Sequence, residues 1–581
     1  MKNSKLQWLE APIAVGMLLL TLASFGNAKT REPADTVYKN GKIYTVNEKN
    51  AWAEAVAIKD GRFIKVGSNT DVKKFIGKHT EVIDLGGKFA MPGIHDVHVH
   101  PAYPYAYKID GQLDFPASLT KEEIQAALKS YAAEHPEKKW IRGKQWSDTL
   151  FPPDGKMPKE FIDAVVADRP VLLVAASGHN VTVNSKALEL AGITRDTPNP
   201  EGGVIDRDSK TGEATGYLSE EAVALVGKFI PIPSDESWYQ GLTKGLEDLR
   251  QVGVTSIVDA KTGRGALVGY RRLEDEGKLN MRVQATLSMH DYAVTVITDE
   301  DAARLISERK NFQSHLVNTN SVKVVADGTF LSFTSLMLEP YTNNPKIYGE
   351  TAIDINPKGV EQLLAYHKAG IQLHFHAHGD GTIREVLNII ENFQKKYPRP
   401  GLHHHIAHNS VVDDKDIPRF KELGVVADFS PPLYFPSDYS PMLTPIFGEE
   451  RLRTKWYPIK KFVDAGVVTA YATDWPLAFP SPSPWVYMEA MVTRKDPYGK
   501  IPGQLGDPIT LTQAIKVFTL AGAQVVMQEK ENGSIEEGKY ADMVVLDRNL
   551  FQIAAEDISE TKVLFTIFEG KAVYRAPTSV Q

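Results

Sequence analysis

Between Ile94 and Thr473 the chain repeats one unit: a short run of strand-forming residues, then a longer stretch with helical spacing. The strand runs are 94–100, 253–258, 281–287, 322–326, 371–376, 404–408, 425–429 and 467–473, and helical stretches such as 237–251, 299–311, 357–369, 381–396 and 413–423 fall between them. Short apolar runs of this kind suit a sheet covered on both faces, and an intervening helix returns the chain for parallel pairing. Eight such units predict an α/β fold, a TIM (β/α)8 barrel. The stretch from Pro101 to about Val226 is too long for one loop and predicts an insertion with its own strands and helices.

Both chain ends have another texture. Short β runs with turn signals occupy Thr36 to Pro92, and Ala541–Leu546 and Val563–Phe568 repeat that character at the far end. Neither end has enough strands to stand alone, so the two are expected to combine into one small β-sandwich domain. The expected division is a leader over 1–28, the first sandwich part over 29–92, the barrel over 93–525 with its insertion at about 101–226, and the second sandwich part over 526–581.

Lys2 and Lys5 precede an apolar stretch from Ala11 to about Ser24, and Gly26-Asn27-Ala28 supplies the small residues that a signal peptidase reads. The apolar run is short of the ~20 residues needed to span a bilayer. A cleaved secretory signal is therefore expected, with a periplasmic protein and no membrane span after its removal. A formal charge of -7 provides no basic field for nucleic acid, so the expected partner is a small-molecule substrate. Oligomeric state leaves no mark.

The chain has no cysteine and 16 histidines, which excludes disulfides, thiol nucleophiles and thiolate metal sites. Ten histidines fall in three short windows: His95, His98 and His100; His374, His376 and His378; His403, His404, His405 and His408. Clustering of this kind points to metal binding through nitrogen and oxygen donors. In Val97-His98-Val99-His100 the two imidazoles are two residues apart, and on a strand they share one face.

The segment Met91-Pro92-Gly93-Ile94-His95-Asp96-Val97-His98-Val99-His100 resembles the first-strand motif of the metal-dependent amidohydrolase superfamily. The chain is similar to amidohydrolase family 3, which includes N-substituted formamide deformylase-like enzymes. The matching segments include Trp140-Ile141-Arg142-Gly143 with Trp146, Gly178-His179, Val322-Lys323-Val324-Val325-Ala326-Asp327-Gly328, His376-Ala377-His378-Gly379-Asp380 and Thr473-Asp474-Trp475-Pro476. This resemblance implies a divalent metal site, zinc with one or two ions, held by His98, His100, Lys323, His376, His408 and Asp474. It further implies that Lys323 is carboxylated and bridges two metals, the alternative being an unmodified lysine paired with Asp327. A register shift of three makes His405 the sixth-strand ligand in place of His408. His179 and Trp146 are candidate substrate contacts, and His95 supports the first strand or lies at the surface.

The implied reaction is hydrolysis of a non-peptide, amide-like C–N bond by metal-activated water, with Asp474 as the catalytic proton carrier. The same site also suits a lactone, a carbamate or a cyclic amidine. A non-catalytic periplasmic regulatory or binding protein is the alternative outside enzymology.

Overall fold

The computed structural model describes residues 32–116, 119–147, 150–152, 155–176, 178–289, 299–476 and 481–577, and the expected leader lies outside them. Eight parallel strands follow one another in sequence order: β1 (Ile94–Val99), β2 (Val254–Thr262), β3 (Arg282–Ser288), β4 (Val317–Val325), β5 (Gln372–Ala377), β6 (His405–His408), β7 (Val426–Asp428) and β8 (Thr469–Ala470). The segment after β8 returns to β1. There Val97 N–H donates to the Tyr471 carbonyl at 3.0 Å, Asp474 N–H to that of His98 at 2.8 Å and His100 N–H to that of Trp475 at 2.9 Å. These bonds close the sheet into the TIM barrel that the strand count predicts.

The helix Asp235–Gln251 shows how the sequence sets a barrel layer. Ser234 caps it by accepting from the Ser237 amide at 3.1 Å, and Trp238, Leu242, Leu246 and Leu249 form its buried stripe. Gly241 and Gly245 let this helix lie directly on the backbone of Ala106 and Pro101, where any Cβ would collide. Close packing here holds the segment that leads out of β1 into the insertion.

The insertion builds its own six-stranded sheet, ordered Gly203–Arg207, Ala214–Glu220, Asn180–Val183, Val171–Ala175, Ile141–Trp146 and Leu113–Asp114. At the chain ends, Phe89–Pro92 pairs antiparallel with Met543–Leu546, joining amino-terminal and carboxy-terminal strands in one sheet. Tyr38, Val56 and Phe63 from a second, four-stranded sheet share a core with Ile43, Met543 and Ile567 from the first. At the start of β3 the buried Arg282 guanidinium meets Asp542 at 3.1 Å and Glu569 at 2.7 Å, pinning this end domain to the barrel.

The barrel interior departs from the usual filling of branched apolar side chains. Gln284 donates to Gln372 at 2.6 Å, Thr286 to Ser321 at 3.2 Å, and His374, His405 and Asp428 are fully buried on β5, β6 and β7.

Candidate metal centre

His98 and His100 leave β1 on one face, with ring centroids 5.5 Å apart. Asp474 is brought to them by its amide bond to the His98 carbonyl and by a left-handed backbone, φ 56°. Its Oδ1 lies 3.2 Å from His100 Nε2 and 3.6 Å from His98 Nε2. From β4, Lys323 extends Nζ to 3.2 Å from the same His98 Nε2. His376 stands near the end of β5 and His408 turns off β6 at φ 74°, which sets their rings 4.2 Å apart. A non-glycine residue in that backbone region is uncommon, and both His408 and Asp474 adopt it at strand ends that face the cavity.

All six groups therefore meet at the carboxyl ends of the barrel strands, lining a cavity of about 190 Å³ that the insertion helps to wall. Two sets of three ligand atoms form there. His98, His100 and Asp474 make one and His376, His378 and His408 the other, each with atoms within 4.8 Å of one another.

The donor chemistry suits a cation. Burial pulls the His98, His376 and His408 imidazoles well below their ordinary value, helped by neighbouring rings and Lys323, so each keeps a lone pair at neutral pH. Burial likewise pulls the Lys323 ammonium down to about 8. His408 Nε2 and Asp474 Oδ1 are buried without a hydrogen bond, a costly state that a shared cation relieves. Behind His408, Nδ1 meets the Ser430 carbonyl at 2.7 Å, which fixes the tautomer that leaves Nε2 free as a ligand.

The structure puts the two sixth-strand candidates in different layers. His408 lines the cavity, whereas His405 lies a layer deeper with Nε2 3.0 Å from Asp428 Oδ2. Asp327 accepts from the His378 and Gly379 amides at 3.0 and 2.9 Å, and Lys323 is turned to His98 instead. His95 is neither at the surface nor at the centre: it is buried, with Gly522 packed against its Cβ.

His179 reaches the cavity from the insertion, with its ring 5.2 Å from that of His376. Its Nδ1 lies 2.9 Å from Glu220, and although burial alone would lower its pKa, that carboxylate holds it above the ordinary value. Trp146 requires a correction. It is fully buried in the insertion core, donates Nε1–H to the Leu173 carbonyl at 3.2 Å and does not line the cavity. A register shift between Lys144 and Trp146, with Gln145 at φ 69°, turns the indole inward and brings Gln145 to the cavity. Trp146→Ala is accordingly expected to destabilise the fold by about 3–5 kcal/mol. Chemical denaturation checks this, and a change confined to KM would contradict it.

Sequence reasoning saw His378 in its histidine window but gave it no role, and it assigned none to Glu220 or Asp428. The alternation His374-Phe375-His376-Ala377-His378 carried a signal for the first, and a carboxylate inside the apolar run Val425–Phe429 for the last. His378 stacks on His408 at 4.4 Å and its Nδ1 meets Ser410 Oγ at 2.6 Å.

The amidohydrolase family matches residues 81–574. The chain belongs to this family. Within amidohydrolase family 3, it is 29% identical to YtcJ of Bacillus subtilis (strain 168) across 93% of this chain and 99% of that protein. It is 26% identical to the N-substituted formamide deformylase of Arthrobacter pascens across 93% of this chain and 98% of that enzyme. An uncharacterized metal-dependent hydrolase from Pyrococcus furiosus superposes with a TM-score of 0.65 at 26% identity, across 88% of this chain and 99% of that one. This amidohydrolase is thus an enzyme, a metal-dependent hydrolase that acts on carbon–nitrogen bonds. Among its described residues no helix is long and apolar enough to cross a membrane.

Proposed function

We propose that this amidohydrolase cleaves a non-peptide, amide-like C–N bond in a small apolar molecule, with zinc held by His98, His100, Lys323, His376, His408 and Asp474. The observation that carries this reading is the convergence of these six side chains at one barrel mouth, with His408 Nε2 and Asp474 Oδ1 unpaired there. Zinc in this position supplies Lewis acidity and lowers the pKa of water. His98, His100 and Asp474 would hold it from one side, and His376 with His408 from the other. Lys323, if carboxylated on its amine, would add an anionic oxygen donor between the two sides. Asp474 takes the proton of the attacking water and delivers it to the departing nitrogen. His179, oriented by its Nδ1 contact with Glu220 at 2.9 Å, donates a hydrogen bond to the substrate from the insertion side.

Tyr103, Phe330, Leu331 and Leu433 give the cavity an apolar wall suited to an N-alkyl or N-aryl substituent, in keeping with the name of the formamide deformylase relative. We further propose that residues 1–28 act as a secretory leader and that the enzyme works in the periplasm. A panel of N-substituted formamides and acetamides, lactones, carbamates and cyclic amidines tests the reading on purified protein. Amine release from the amides supports it, and turnover confined to lactones overturns it. On the preferred amide, Glu220→Gln is expected to lower kcat/KM about 10²-fold with the fold intact. An unchanged value takes His179 out of the reaction.

A further inference from the structure

Directly beneath the mouth cluster lies a second set of donors that the hydrolytic reading does not use. His374, His405 and Asp428 stand on the adjacent strands β5, β6 and β7, and all three are fully buried. His374 pairs with His405 in register, and their rings lie 4.0 Å apart. Neither ring nitrogen of His374 has a hydrogen-bond partner, nor has His405 Nδ1. Asp428 Oδ1 is well supplied, accepting from the His408 amide, the Ser430 amide and the Ser430 hydroxyl at 3.2, 3.0 and 2.6 Å. Its Oδ2 faces imidazoles alone, with His405 Nε2 at 3.0 Å and His98 Nδ1 at 3.4 Å.

Three buried ring nitrogens without partners, beside a carboxylate oxygen met only by neighbouring imidazoles, would cost several kcal/mol if nothing joined them. Their chemistry is that of a ligand set: imidazole nitrogens and one carboxylate oxygen. Ligand atoms of His374, Asp428 and His98 lie within 4.8 Å of one another, and His405 adjoins that group through its 4.0 Å ring contact with His374 and its Nε2 3.0 Å from Asp428 Oδ2. Two zinc–ligand bonds of ~2.0–2.2 Å reach across at most ~4.4 Å, so small side-chain movements close these donors around one ion. His98 separates the two layers. Its Nε2 faces Lys323 and Asp474 at the mouth, while its Nδ1 lies 3.4 Å from Asp428 Oδ2 below.

We propose that His374, His405 and Asp428 hold a further divalent transition-metal ion, of the zinc type, inside the barrel beneath the hydrolytic centre. With no exposed ligand, this ion is structural. It ties β5, β6 and β7 together and fixes the carboxylate that faces His98, so the lower ion supports the geometry of the upper site without touching substrate. Because its ligands are sealed from solvent, it is expected to exchange far more slowly than a metal at the open mouth.

Elemental analysis of the full protein after prolonged dialysis against a chelator tests this. Wild type is expected to retain one zinc equivalent, and His374→Gln and His405→Gln are each expected to lose that equivalent while keeping native circular dichroism. Folded variants that match wild-type metal content overturn the proposal. A zinc-edge anomalous map of wild type decides the matter even if neither variant folds. A peak bounded by His374, His405 and Asp428, separate from any at the mouth, supports the site, and ordered water there with zinc only at the mouth overturns it.

Discussion

Asp474→Asn is expected to lower turnover on the order of 10³-fold while leaving the fold and most of the metal in place. The substitution keeps the side chain's shape and one carbonyl oxygen, so the contact 3.2 Å from His100 Nε2 survives. It removes the ability to accept a proton from water and pass it to the leaving nitrogen. Asp474 sits where that transfer must happen: at the cavity, beside both β1 histidines, on a left-handed backbone that the bond to the His98 carbonyl holds in place. Steady-state kinetics on the preferred amide, with metal content measured on the same sample, checks the expectation. Near-normal turnover removes Asp474 from the proton path.

His100→Ala is expected to weaken metal binding by more than about 10²-fold, since changes one shell further out already cost 10–100-fold. Activity at stoichiometric zinc then disappears, and excess zinc restores part of it. His100 is partly exposed at the mouth, unlike His98 at 1% in the barrel wall, so its removal leaves packing largely unchanged. Competition against a chromophoric chelator measures the shift. Wild-type affinity in the variant contradicts the assignment of His100 as a ligand.

The barrel was legible because parallel strands buried on both faces leave short apolar runs, and each of the eight appears within a few residues of its expected place. His98 and His100 were legible for the same reason, because strand alternation puts both on one face. Where the backbone leaves regular alternation, the sequence loses its hold. His408 is an odd number of residues from His405, so parity alone cannot put both inside. The structure does it by breaking the strand at φ 74°. The shift beside Gln145 had the same effect on Trp146, exchanging the cavity-facing and core-facing positions. Asp428 was missed because no histidine marks β7, and its importance comes from neighbours on β1, β5 and β6 that lie far away in sequence.

The deeper polar layer also bears on how this amidohydrolase sets its ligands. Asp428 faces His98 Nδ1 on one side and, through Ser430, the Nδ1 of His408 on another. One carboxylate on a three-residue strand thus stands behind two of the upper-site histidines, both of which must present Nε2 to the cavity.

The most direct test of the central claim is hydrolysis of an N-substituted formamide by purified protein before chelation, after chelation and after zinc is returned. Amine release that stops when metal at the mouth is removed and recovers on adding zinc is the predicted result. Amine release that continues at its full rate in the chelated protein would contradict the account.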